Sequence, residues 1–216
     1  MALSKVDFNN INVTPAASKK LKWNSSANGF ETGDVGGSMV LLSTVTASSS
    51  STVSFTSGID STYKEYIFKF IDIHPASDSD VQFQFNGSAD TGSNYNVTKT
   101  TTYFSAYHYE SDAHSAALGY MTGYDLAQGT GFQTLSTNIG ADNDQCGSGY
   151  IHLFNPSSTT FVKHFIGNIS FSQSDDVQRI DYNAGYFNTT SALDAIQFKF
   201  SSGNIDAGDI CLYGIN

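Results

Sequence analysis

Glutamate, arginine and cysteine are scarce in this chain, and long apolar runs are missing. Only three of its 20 acids are glutamates, Glu31, Glu65 and Glu110. With abundant Gly, Ser, Thr and Asn, that is poor material for helices and good material for strands and turns. Arg179 is the only guanidinium in a chain of net charge −10 and pI near 4.6. Phosphate binding rests on Lys and Arg, so nucleic acid is not an expected partner. Two cysteines, Cys146 and Cys211, cannot build a four-thiolate metal site and are expected to be free thiols rather than a disulfide. No stretch approaches the ~20 apolar residues of a membrane span. Lys5, Asp7, Asn9 and Asn10 break up any leader-like start, so synthesis in the cytoplasm is expected and membrane association is not. The six Asn-x-Ser/Thr sequons then carry no meaning as glycan acceptors.

What the chain does have is bulk for a core: 16 Phe and 12 Tyr among 216 residues, enough for one substantial domain. Val81, Phe83 and Phe85 alternate with Gln82 and Gln84, and Ile196, Phe198 and Phe200 alternate with Gln197 and Lys199. Each set places large apolar groups on one face of a strand and polar groups on the other. Phe161, Phe165, Ile169 and Phe171 suggest a third such strand. Further strands are expected at 39–46, 52–55, 63–73, 150–154 and 210–215, with a turn at 48–51. Residues 111–124 carry Ala113, Ala116, Ala117, Leu118 and Met121, which suit a short helix or a long loop. Eight or more strands without a helical block between them predict an all-β fold. The expected form is a two-sheet antiparallel β-sandwich of jelly-roll type spanning 39–216, preceded by an N-terminal arm.

Residues 1–38 differ from the rest. Four lysines against three acids make this segment +1 and leave −11 for the remainder. Leu3, Val6, Phe8 and Ile11 are too many apolar residues for an inert tail and too few for a core. With Lys5, Lys19, Lys20 and Lys22 they read as an attachment arm, the alternative being a first strand of the main domain.

The candidate chemistry is sparse. His108, Glu110, Asp112 and His114 share strand parity, and two imidazoles with two carboxylates suit zinc or iron. Alternate strand positions lie ~6.6 Å apart, so four such groups cannot converge. The series reads as a solvated face, His108 and His114 are weak metal candidates, and no cofactor is expected. Asp142 and Asp144 lack the rest of a calcium loop, while Asp78 and Asp80 suit a polar turn. Gly-x-Ser-x-Gly and phosphate-loop signatures are absent, Asp175 and Asp176 would diverge if extended, and His152 and His164 sit within strands. No catalytic residue is named. Tyr103, Tyr107, Tyr109, Tyr120 and Tyr124 form a polar aromatic set suited to sugar rings or subunit packing.

Several phrases occur together: Tyr63-Lys-Glu-Tyr-Ile-Phe-Lys-Phe-Ile-Asp-Ile-His-Pro75, and Ile151-His-Leu-Phe-Asn-Pro-Ser-Ser-Thr-Thr-Phe-Val-Lys-His-Phe165. Then come Ala184-Gly-Tyr-Phe-Asn-Thr-Thr-Ser-Ala192, Ile196-Gln-Phe-Lys-Phe-Ser-Ser-Gly-Asn-Ile205 and a terminal Leu-Tyr-Gly-Ile. In that order they resemble virion structural proteins, of fibre or decoration type, from marine tailed bacteriophages including cyanophages. The resemblance covers roughly 39–216 and implies a non-enzymatic part of the particle exterior, a head decoration, knob or short fibre-type appendage. It supplies no catalytic residues, and the chain lacks a long repetitive shaft. The partners it implies are other virion proteins and further copies of the chain, with a trimer favoured. A tail-associated adhesin for a host surface glycan is the alternative.

Overall fold

The computed structural model describes residues 19–34, 38–77, 81–112 and 114–216. Every regular element among them is a β-strand. Near Val40 the chain divides into two units. The first contains an antiparallel hairpin of β1 (Lys19–Trp23) and β2 (Phe30–Asp34). Trp23 lies opposite Phe30, and their rings stack 4.4 Å apart. Lys22 reaches Glu31 at 3.1 Å, an exposed pair that contributes ~0–1 kcal/mol. Lys19, Lys20 and Lys22 of the expected arm therefore lie on one strand of this hairpin, while Leu3, Lys5, Val6, Phe8 and Ile11 lie outside the described residues.

The second unit holds the rest. Its strands are β3 (Met39–Ser50, entering the unit at Leu41), β4 (Val53–Phe55), β5 (Glu65–Pro75), β6 (Phe83–Ser88), β7 (Lys99–Tyr109) and β8 (Ala117–Tyr120). They continue with β9 (Gln133–Ser136), β10 (Gly147–Phe154), β11 (Lys163–Gln173), β12 (Val177–Phe187), β13 (Ala195–Phe200) and β14 (Ile205–Ile215). A sheet of eight runs β3-β14-β5-β10-β11-β12-β7-β8, and a sheet of four runs β4-β13-β6-β9. All pairings of defined register are antiparallel. Strand pairs consecutive in the chain, such as β3 and β4, β5 and β6, β9 and β10, and β13 and β14, fall in different sheets.

The core contains the alternating residues that the sequence marks. Val81, Phe83, Phe85, Ile196, Phe198 and Phe200 are all buried, while Gln82, Gln84, Gln197 and Lys199 are only partly covered. Phe198 is the hub: the rings of Phe68 and Phe70 lie 5.2 Å from it, Phe83 5.9 Å, Phe55 6.2 Å and Phe85 6.3 Å. Aromatic pairs at these separations add to simple area burial. In β5 the alternation slips at Asp72, whose φ is +53°, so that Ile71 and Asp72 are both exposed before Ile73 returns to the core. Gly208, at φ +117°, accommodates this bulge, because a Cβ there would lie 2.6 Å from the Asp72 carbonyl oxygen.

Three expectations need correction. The described residues of 111–124 form neither a helix nor one long loop, since β8 pairs with β7 as an edge strand; Ala116 and Ala117 are exposed and lack a core face to favour a helix. Phe161 is 69% exposed and precedes β11, so only Phe165, Ile169 and Phe171 of its series point inward. The turn expected at 48–51 comes later, because β3 runs through Ser50.

Candidate binding face

Behind β7 and β12 the alternation serves polar groups. The inward side of β7 carries Lys99, Thr101, Tyr103 and Ser105, and that of β12 carries Asp181 and Asn183, all buried. A buried carboxylate is tolerable only when its lone pairs are taken up. Asp181 accepts hydrogen bonds from the Tyr103 hydroxyl, the Thr137 amide (2.9 Å), the Thr137 hydroxyl (3.1 Å) and Arg179 Nε (3.0 Å). Burial, reinforced by the negative Asp181, pushes the Tyr103 hydroxyl pKa far up, so it stays a donor. Lys99 Nζ donates to Asn86 Oδ1 (2.6 Å) and the Val97 carbonyl (2.8 Å), and burial lowers its pKa to about 7. Gln133 ties β9 to this layer by accepting from the Thr101 hydroxyl at 2.6 Å and donating to the Tyr124 carbonyl at 2.9 Å. The layer gives these strands a fixed backing without a greasy core.

Register then fixes what stands on the outer side. Tyr120 of β8 lies opposite Phe104 of β7, Phe104 opposite Tyr182 of β12, Tyr182 opposite Asn168 of β11, and Asn168 opposite Tyr150 of β10. Phe104 and Tyr182 stack at 4.8 Å, and Asn168 Nδ2 donates to the Tyr150 hydroxyl at 3.0 Å. A parallel row runs Thr102, Ala184, Ile166, His152 and Ile67. A third places Thr100, Tyr186 and His164 side by side, the last two rings 5.7 Å apart. Among small Ala184 and Gly185 lies a depression of about 410 Å³, lined also by Thr100, Thr102, His164, Ile166 and Tyr186. Phe104, Tyr120, Tyr150 and Ile166 are each more than a third exposed. In a chain of net charge −10, the outward positions of β7, β11 and β12 carry no carboxylate, ammonium or guanidinium.

The expected tyrosine set is split by this geometry. Tyr103 is fully buried and leaves the surface set. Tyr124 lies against it with ring centroids 5.4 Å apart, and Tyr107 and Tyr109 are partly covered on the same parity as Tyr103. Tyr120 alone reaches the outer face, its hydroxyl donating to Asp125 at 2.5 Å. Phe104, Tyr150, Tyr182 and Tyr186 complete that face, and only their strand parity could have marked them in the sequence.

The metal and acid candidates each have local roles. His108 lies 3.5 Å from exposed Asp112, and His114 packs on the Tyr109 ring at 4.6 Å. No group of three His, Cys, Asp or Glu among the described residues is arranged to hold a metal. His152 pairs with Glu65. Asp142 offers its carbonyl to His74 at 3.3 Å, beside a polar pocket that Asp144 lines, while Asp175 and Asp176 line another with Glu110 and His114. Asp78 and Asp80 lie outside the described residues. Both cysteines are free, and burial, with Asp72 nearby, raises the Cys146 thiol pKa.

Comparison with protein-family models, with curated proteins and with solved structures found no match.

Proposed function

We propose that this chain is a non-enzymatic structural protein of a tailed-phage particle, displayed on the exterior as a head decoration, knob or short appendage. The observation that carries the reading is the strand order. The large sheet begins β3-β14-β5-β10 and the small sheet runs β4-β13-β6-β9, so that β14 lies beside β3 in one and β13 beside β4 in the other. That winding supports a jelly roll, an architecture that recurs in viral capsid and lectin domains. The resemblance of residues 39–216 to marine phage virion proteins points the same way. Beyond β10 the large sheet continues through β11, β12, β7 and β8, with Phe165 of β11 and Phe187 of β12 packing inward on Phe85 of the small sheet. These four strands carry the aromatic face, and an exposed apolar face of this breadth marks an interaction surface.

In this proposal residues 1–38 attach the chain to other virion proteins, with the lysines of β1 facing an acidic partner, and symmetric self-association, favoured as a trimer, covers exposed sheet edges. The test is to raise an antibody to the purified chain and look for it on intact particles, then to delete residues 2–22. The full chain should label particles at regular positions and the truncated chain should fold without incorporating. Absence from purified particles would end the proposal, and normal incorporation of the truncated chain would remove the arm from it.

A further inference from the structure

We propose that the outer face of β7, β11 and β12 binds an uncharged hexopyranose glycan, with the depression over Ala184 and Gly185 as its principal subsite. The inference rests on the exterior placement proposed above, since only an exposed face could meet such a ligand. Four observations select this occupant.

The first is charge. The chain is strongly acidic overall, yet these three strands present no carboxylate, ammonium or guanidinium outward, only the imidazoles His108 and His164. Over these three strands an anionic polysaccharide would find no ammonium or guanidinium and a basic partner no carboxylate; Lys69, opposite Tyr150, and Glu65, paired with His152, stand beyond them on β5. A neutral ligand meets neither problem.

The second is shape. The depression, about 410 Å³, falls within the range of ~300–1,000 Å³ common for small-molecule sites. Its floor is small because Ala184 stands where the same side of β12 elsewhere bears Tyr182 and Tyr186. Tyr182 and Tyr186 are four positions apart, ~13 Å along the strand, and once the width of the two side chains is taken off the gap over Ala184 admits a single ring.

The third is chemistry. The floor and walls are apolar at Ala184, Ile166 and Phe165, while hydrogen-bonding groups stand at the rim: Thr100, Thr102, His164 and the Tyr186 hydroxyl. A pyranose presents the same division, with C–H groups on its faces and hydroxyls on its edge. The Thr100 hydroxyl is already oriented, accepting from Gln128 Nε2 at 2.6 Å.

The fourth argues against a second copy of this chain. The core of a protein interface is depleted in Ala and Ser. Here Ala106, Ala184, Ser170 and Ser172 interrupt the outward positions of the three strands, and Asn168 stands between Tyr182 and Tyr150. The rows extend from the depression along Phe104 and Tyr120 on one side and Tyr150 on the other, a track that suits successive sugar residues of a chain.

The experiment uses the full-length protein with neutral probes (mannan, α-glucan and chitin oligosaccharides) and with alginate oligosaccharide as the charged comparison, measured by calorimetry and by glycan array. Two variants alter the site in opposite ways: Ala184→Leu fills the depression and Tyr186→Ala removes one wall. Saturable binding of a neutral probe, weakened at least tenfold in both variants while their melting curves match the parent, is the expected result. No binding of any neutral probe at millimolar concentration overturns the proposal, as does tighter binding of alginate or unchanged affinity in both variants. If instead the parent self-associates and Ala184→Leu makes it monomeric, the face is a contact between copies and the glycan site is wrong. The antibody labelling of particles is independent of all these outcomes, so failure of the subsite leaves the virion assignment to stand or fall separately.

Discussion

Replacing Phe198 by alanine would empty the centre of the core, because its ring is fully buried and five other rings surround it within 6.3 Å. Phe-to-Ala changes in such positions cost ~3–5 kcal/mol, and this site belongs at the upper end, since both sheets contribute neighbours and neither can collapse alone. Domains of this size are stable by only ~5–15 kcal/mol, so the variant would keep its fold with a much reduced margin. With a urea dependence of roughly 2.5 kcal/mol per molar, the unfolding midpoint should fall by about 2 M. The matched control is Lys199→Asp, one residue along and on the opposite side of β13. The Lys199 ammonium sits 4.4 Å from the centre of the Phe132 ring, so losing it should cost only ~0.5–1 kcal/mol. Urea titrations followed by tyrosine fluorescence would measure both. A loss below ~1 kcal/mol for Phe198→Ala, or equal losses for the two variants, would refute the packing of the sheets through Phe198.

Lys99→Met should raise stability more at pH 7 than at pH 9.5: the unfolded lysine titrates near 10.5 and the folded one near 7, so the unfolded state binds the extra proton across that window and the parent loses stability as pH falls through it. The difference between the two proteins, read from melting curves at both pH values, should change by a few kcal/mol; a pH-independent difference would show that Lys99 stays charged in the fold. Tyr103→Phe takes away one donor to the buried Asp181 and should cost ~1–3 kcal/mol in chemical denaturation, and a neutral result would mean that Thr137 and Arg179 suffice. Changing His108 and His114 together to alanine should shift stability by less than ~0.5 kcal/mol, and zinc or iron found at stoichiometric level by elemental analysis and lost in that variant would contradict it.

The strands legible in the sequence are those whose buried side is apolar. β6 and β13 announce themselves through Phe83, Phe85, Ile196, Phe198 and Phe200. β7 and β12 do not, because their inward positions are Lys99, Thr101, Ser105, Asp181 and Asn183, which a hydrophobicity pattern assigns to the outside. Composition groups the tyrosines but carries no parity, and the buried Tyr103 and the exposed Tyr120 look alike until the strand pairs are known. Ala184 goes unmarked for a related reason. A small residue gains meaning only when its neighbours across two strands are large. Phe161 shows the converse error, since even spacing extends a pattern past the point where the strand begins.

The placement of β13 and β14 also governs how the molecule comes into being. β14 lies between β3 and β5, and β13 lies between β4 and β6, so neither sheet can close until the last strands exist. At ~5–20 residues per second, the ribosome needs roughly ten seconds to travel from the end of β5 to the start of β14. Throughout that interval β3 and β4 emerge with no strand partner and β5 and β6 each wait with one edge bare. The two sheets therefore cannot close before β14 has been made, and folding should be slow, as for other folds dominated by pairings distant in the chain. Many nascent copies waiting at once would expose matching edges to one another, which makes yield in the cell a matter of timing as much as of final stability.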